Sequence, residues 1–249
     1  SSDFKTIVKV AGVWSTGGAM NTAAAYTGGT GIQTAALVSG GDPGFKTKNE
    51  SYNGTAWTEL ADINTGRYGH GTTGSPTAAI TFAGFTPPVT ANSETWDGSS
   101  WTEGANVNTA RYYVGRAGVS STSALVVGGS VSPGASGLAE EWDGSSWTEK
   151  GDLNTARQNP SGDGTVTAAL VATAIPNTAI VEIWDGTSWT ETTDINTARG
   201  EPGAAGTTAA LVLFGGTQPA GPGQVEFWDG TSWTEVADLS TGRSAHGSN

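Results

Sequence analysis

One phrase is written into this chain six times. It runs Trp57-Thr-Glu-Leu-Ala-Asp62-Ile63-Asn64-Thr65-Gly-Arg67 and returns from Trp101, Trp147, Trp189 and Trp233. It also stands in worn form from Trp14, where Ala24 takes the arginine position. From Trp to Trp the steps are 43, 44, 46, 42 and 44 residues. A fixed period of this size means stacked or radial repeats, because each unit is too small to bury its own apolar face.

The unbroken repeat makes the 249 residues one domain, 1–249, rather than two. Hydrophobic residues are only 36% of the chain, and the 38 glycines call for an interior in which backbone packs closely. Ten tryptophans supply the bulk, each able to bury roughly 150–250 Å². No run approaches the ~18 apolar residues of a membrane helix, so membrane insertion is not expected, and no signal peptide is visible. The opening Ser1-Ser2-Asp3 without Met leaves processing or a longer parent chain open. The absence of cysteine excludes disulfides, thiol catalysis and Cys-ligated metals. A net charge of −12 argues against nucleic acid, which needs clustered Lys and Arg. Most of the acids recur at fixed repeat positions, such as Glu50, Glu94, Glu140, Glu182 and Glu226. A charge copied once per repeat reads as structural or solvated rather than as a site.

Within one repeat, the apolar run Thr208-Ala-Ala-Leu-Val-Leu-Phe214 ends in Gly215-Gly216, as a buried strand and a turn would. Its counterparts lie at 34–38, 77–82, 123–127 and 167–171. A variable Gly/Pro-rich loop follows, then Val225-Glu-Phe-Trp228, whose side chains alternate between two faces. Asp229-Gly230 marks a hairpin turn, and Trp233 opens the return strand five residues after Trp228. Outer hairpins are therefore expected to end near Trp57, Trp101, Trp147, Trp189 and Trp233. Arg67, Arg111, Arg157, Arg199 and Arg243 are expected to hold carbonyls or a repeated carboxylate at the junction between units, a task suited to a planar five-donor guanidinium. The glycine-rich stretch behind each, such as Val114-Gly-Arg116-Ala-Gly, fits a strand crowded about a central axis.

Four short strands per period predict an all-β propeller of four-stranded antiparallel blades. Inner strand pairs following Asn21, Asn64, Asn108, Asn154 and Asn196 number five, against six outer Trp segments. Five blades are preferred, six remain possible, and residues 1–14 form a surplus outer-strand segment. That segment, Phe4-Lys-Thr-Ile-Val-Lys-Val10 with Trp14 behind it, alternates like a competent strand. An unpaired strand is an aggregation hazard, so it is expected to pair with the terminal blade of its own ring or with a neighbouring subunit.

The double glycines Gly40-Gly41, Gly128-Gly129 and Gly215-Gly216 ahead of the spaced aromatics, with Arg67-Tyr-Gly-His70, resemble the kelch repeat, which folds as one propeller blade. The pattern departs at Ala83-Gly84 and Thr173-Ala174. More specifically, Trp142-Asp-Gly-Ser-Ser-Trp147-Thr-Glu149 with Leu153-Asn-Thr-Ala-Arg157 resembles tandem repeats of virion and tail proteins of marine bacteriophages. This resemblance implies a non-enzymatic structural or binding module of an extracellular or virion assembly, with protein subunits, itself included, as partners. A lectin-like propeller holding a surface glycan is the alternative, and a hydrolase the third reading.

Chemistry is sparse. His70 and His246 share one repeat position but lie far apart in sequence, without a third zinc ligand. No G-x-S-x-G elbow is present. Kelch oxidases carry copper with a cysteine-linked tyrosine, and a chain without Cys does not inherit that site. Nor does any Tyr beside an acid suggest a sialidase-like nucleophile. The Asp-Gly-Ser/Thr-Ser turns lack the acidic ladder of calcium loops. No catalytic residue, metal or cofactor is assigned. The connecting loops 41–48, 85–92, 130–138, 175–178 and 217–224 vary and nearly lack aromatics. In repeat proteins such loops gather on one, often binding, face, and Tyr112 and Tyr113 are the candidate ligand contacts.

Overall fold

In a computed structural model of the chain, residues 14, 17–132, 134–217 and 223–245 are described. They fold as five four-stranded antiparallel blades of a β-propeller, without helices. Blade 1 is β1 (Gly28–Ile32), β2 (Ala35–Ser39), β3 (Asn49–Tyr52) and β4 (Trp57–Glu59). Blade 2 is β5 (Gly71–Ser75), β6 (Ala78–Phe82), β7 (Ser93–Trp96) and β8 (Trp101–Glu103). Blade 3 is β9 (Gly115–Ser120), β10 (Ser123–Val127), β13 (Ala139–Trp142) and β14 (Trp147–Glu149), with the small hairpin β11 (Ser130–Val131) and β12 (Gly134–Ala135) in its loop. Blade 4 is β15 (Ser161–Thr165), β16 (Ala168–Ala172), β17 (Val181–Trp184) and β18 (Trp189–Glu191). Blade 5 is β19 (Gly203–Thr207), β20 (Ala210–Phe214), β21 (Val225–Trp228) and β22 (Trp233–Val236).

The period-2 pattern explains the register. Trp96 stands opposite Trp101 and Glu94 opposite Glu103, and the same pairs recur in blades 3 to 5. Each Asp-Gly turn closes on itself: in blade 2 the Asp97 Oδ1 accepts the Ser99 and Ser100 N–H groups, both at 2.8 Å. Innermost strands carry glycine at Gly31, Gly74, Gly118, Gly164 and Gly206, with φ between 121° and 143°. That is backbone only glycine adopts without strain, and a Cβ on Gly31 would sit 2.3 Å from the Ala35 carbonyl oxygen.

Strands β1, β5, β9, β15 and β19 flank one another in turn around the axis, but β19 and β1 do not close the circle in the same way. Four apolar cores fill the boundaries between blades 1 and 2, 2 and 3, 3 and 4, and 4 and 5. Phe82 meeting Trp147 edge-on at 5.0 Å is one such contact. Among the described residues the boundary between blade 5 and blade 1 is a cleft of about 880 Å³, with Trp14, Met20, Ile32, Phe214 and Leu239 on its walls.

At the axis, six repeat-equivalent residues have left-handed backbone: Tyr26, Gly69, Tyr113, Asn159, Glu201 and Ala245, with φ of 53°, 61°, 52°, 51°, 56° and 53°. Backbone bonds join five of the six neighbouring pairs, the step from Asn159 to Glu201 being the exception. Gly69 N–H donates to Tyr26 O (2.9 Å), Tyr113 to Gly69 (2.7 Å), Asn159 to Tyr113 (2.7 Å), Ala245 to Glu201 (3.2 Å), and Tyr26 to Ala245 (2.8 Å). Five blades thus radiate from a hub with six members.

Candidate functional site

The connectors entering each blade carry this hub, and the loops leaving each second strand lie against them. Tyr68 and Phe85 exchange backbone hydrogen bonds of 3.2 and 2.9 Å, and Tyr112 and Ser130 do so at 3.1 and 2.6 Å. Side chains at and just before the left-handed residues therefore crowd one mouth of the axis. In the first three sectors they are aromatic apart from Ala25 and Gly69: Tyr26, Tyr68, Tyr112 and Tyr113. In the next two they are polar (Gln158, Asn159 and Glu201) apart from Gly200.

The result is one continuous aromatic patch. Tyr113 lies 4.8 Å from Tyr112, 5.1 Å from Tyr26 and 5.9 Å from Tyr68 between ring centroids. Phe85 lies 5.4 Å from Tyr68 and 5.2 Å from Tyr112, and Phe45 stacks on Tyr68 at 5.8 Å. All six rings are half-buried, so each packs sideways while keeping part of its surface open. Across the mouth the Tyr26 hydroxyl donates to Glu201 Oε1 at 2.9 Å. Burial, then the Glu201 bond, pushes the Tyr26 phenol up to about 12. Burial likewise pushes Tyr113 and Tyr68 up. These are neutral phenols at physiological pH, good as donors and stacking surfaces and poor as nucleophiles.

Below the mouth is an axial pocket of about 60 Å³, with Tyr26, His70, Arg116, Asn159, Ser161 and Glu201 in its wall. His70 is buried 3.5 Å from Ser39 Oγ, and burial followed by the charges of Arg67 and Arg116 pushes it down to about 3. Arg116 is 7% exposed and its Nη2 has no partner. Burial lowers it, against the opposing attraction of Asp163. Among the described residues, no three His, Asp or Glu side chains converge as a metal set. His246 lies outside the described residues.

Tyr112 and Tyr113 sit on a connector of this mouth rather than in a strand. Against the expectation of loops nearly without aromatics, two of them bring Phe45 and Phe85 into the patch. Tyr26, Tyr68 and Glu201 were also missed. The signal was present, because Tyr26 and Glu201 stand twelve residues after their repeat tryptophans, as Tyr113 does.

The repeat positions build the scaffold. Arg67 pairs with Glu94 at 2.5 Å and donates to Ala83 O and Asn92 O at 3.1 and 2.6 Å. Arg111 pairs with Glu140 at 2.7 Å, Arg157 with Glu182, and Arg199 with Glu226. Each glutamate also accepts the Asn and Thr N–H groups ahead of its arginine, as Glu94 does from Asn64 and Thr65. Arg243 differs: its carbonyl accepts the Gly216 N–H at 2.9 Å as its counterparts' carbonyls do, but its exposed guanidinium, among the described residues, bonds only to Thr241 O of its own turn. Trp101, Trp147, Trp189 and Trp233 are buried and Trp57 half-buried. Trp14 is 39% exposed, packs on Phe214 at 5.6 Å and donates from Nε1 to Ala237 O at 3.1 Å, both of blade 5 or its exit. The strand expected over residues 4–10 lies outside the described residues.

No family model and no curated protein sequence matches the chain. Among solved structures it is similar to that of YjhT, with a TM-score of 0.75 and 13% identity over 91% of this chain and 87% of that one. At that identity the likeness is one of fold, and it places the chain among the β-propellers.

Proposed function

We propose that this chain is a non-enzymatic binding module whose aromatic mouth holds a glycan. The observation that carries the reading is the patch of six half-buried rings facing Asn159 and Glu201 across the axis. Sugar rings offer C–H faces that lie on aromatic planes and hydroxyls that need acceptors and amides, and both are supplied at one opening. Phenols held protonated argue against a tyrosine nucleophile. The repeated carboxylates are committed to arginine and backbone N–H groups, which argues against an acid pair for hydrolysis.

The kelch-like repeat and its resemblance to marine phage virion and tail proteins support an extracellular or virion setting, in which surface polysaccharide is the partner. No helix among the described residues is long and apolar enough to cross a membrane. A second reading, a structural subunit docked in a larger particle, rests on the cleft that the described residues leave between blades 5 and 1. A glycan array followed by calorimetry decides between them. The glycan reading expects binding that weakens at least tenfold in Tyr113→Ala, with the sugar recovered intact. Absence of any sugar binding, or turnover of the bound sugar, would sink it.

A further inference from the structure

The repeat carries one buried charge that it does not copy. Three residues after the left-handed hub residues, the innermost strands hold Gly29, Thr72, Arg116, Gly162 and Ala204. Only blade 3 sets a cation there, on β9 opposite Val126 of β10. At about 3.3 Å per residue the position lies roughly 10 Å of chain beyond the hub and its tyrosines.

Arg116 is also unlike the other buried arginines. Arg67, Arg111, Arg157 and Arg199 each close on a glutamate of the blade they precede. Arg116 is 7% exposed and, among the described residues, makes neither a side-chain hydrogen bond nor an ion pair. The carboxylate whose charge reaches it, Asp163, is already committed: its Oδ1 accepts the Gly164 N–H at 2.7 Å and its Oδ2 the Gly206 N–H at 2.8 Å. Glu201 accepts from the Tyr26 hydroxyl at hub level. His70 is held neutral by burial and then by the charges of Arg67 and Arg116, so it adds no second cation.

A desolvated guanidinium without hydrogen bonds is costly, and a counter-charge brought to it recovers much of that cost. The axial pocket is where one can reach it, since Arg116 forms part of the wall. Its volume of about 60 Å³ takes a few waters or one small anion. That is far short of the roughly 300 Å³ and more of a cleft enclosing a drug-sized ligand, so a sugar ring at the mouth stops above it. The pocket also borders the one hub step without a backbone bond, as both Asn159 and Glu201 line it.

We propose that the axial pocket is an anion site, in which one small monoanion of the halide, nitrate or formate class lies against the Arg116 guanidinium as its counter-charge. Size excludes bulky anions, and the Asp163 and Glu201 carboxylates disfavour multiply charged ones. The site is distinct from the sugar-binding surface above it and does not rest on that reading.

Thermal unfolding of the 249-residue chain in sodium gluconate, with chloride or bromide exchanged for gluconate at constant ionic strength, provides the test. Gluconate is too large for the pocket. The midpoint should rise saturably, by about 2 °C or more once the halide exceeds its dissociation constant several-fold. Arg116→Met should match or exceed the parent in gluconate and show no rise with halide. Tyr113→Ala should keep the full rise, which separates this site from sugar binding at the mouth. A crystal grown in gluconate and soaked in bromide should show a bromide within hydrogen-bonding distance of the Arg116 guanidinium. Equal midpoints in every anion would leave the pocket to water and overturn the proposal. A rise that survives in Arg116→Met would mark an adventitious ion only and overturn it too, as would a soaked crystal without bromide at Arg116.

Discussion

Arg67→Ala and Ala24→Arg are opposite perturbations of one device, and the fold holds the control for both. In blade 2, Arg67 is fully buried and joins Glu94 to two carbonyls. In blade 1 the arginine position is Ala24, while Glu50 stays buried on the Asn21 and Thr22 N–H groups, and Ala24, Gly40, Lys48 and Glu50 line a crevice too narrow for a water, which an arginine would have to widen. Removing Arg67 loses one charge-assisted bond, worth about 1.5–3 kcal/mol, and leaves two carbonyls short of a donor at about 1 kcal/mol each. Glu94 keeps Asn64 and Thr65, as Glu50 keeps its own pair, so the cost should stay at about 3–5 kcal/mol rather than exceed it. Adding arginine at position 24 gives a carboxylate that is already desolvated its cation. The gain is offset by up to about 2 kcal/mol of side-chain entropy and by burial of the guanidinium, for a net stabilisation of about 1 kcal/mol. Urea unfolding with an unchanged m-value measures both. A cost under about 1 kcal/mol for Arg67→Ala, or destabilisation by Ala24→Arg, would refute the idea that the repeated pair fastens each blade to the connector that precedes it.

Other outcomes follow from single groups. Arg116→Met should be neutral or stabilising by up to about 2 kcal/mol in urea melts, because a buried guanidinium with an unpartnered Nη2 is exchanged for an apolar chain of similar length. His70 stays neutral in the fold down to about pH 3 while the unfolded chain takes a proton near 6.5, so its stabilisation is complete above 6.5 and is lost as pH falls toward 3; His70→Gln should flatten that part of the pH–stability curve. Asp97, Asp143 and Asp229 are held down to about 2 by their turn hydroxyl and N–H groups, so their stabilisation is present above the ordinary carboxylate value and disappears as pH falls through 2; Asp97→Ala should remove that step in acid melts. Ultraviolet titration should find at least one tyrosine ionising only near pH 12, and Glu201→Gln should lower that value.

Much of the fold was legible because the repeat is physical. The Trp-to-Trp period, the Asp-Gly turns and the apolar run before each glycine pair each demand a strand or a turn at a fixed place, and the blades stand there. The glycine pair shows what sequence tolerates: its first residue has φ near 60°, which Ala83 and Thr173 adopt in place of Gly40, Gly128 and Gly215. The aromatic mouth was only half legible. Tyr112 and Tyr113 stood out as neighbours in sequence, whereas Tyr26, Tyr68, Phe45 and Phe85 meet only because the axis gathers residues from three sectors. The six-membered hub was hard to read for a different reason. Inner strand pairs count five and outer tryptophans six, and it takes backbone conformation and the hydrogen bonds of Ala245 to show that the hub follows the larger number.

The central claim is that the aromatic mouth is a sugar-binding surface without catalysis. A crystal of the protein soaked in an oligosaccharide chosen from the array tests it most directly. The account predicts an intact sugar ring lying on Tyr113 or Tyr68, with a hydroxyl bonded to Glu201 or Asn159. A cleaved sugar at the mouth, or a sugar bound only at a site remote from it while the mouth stays open to solvent, would contradict the account.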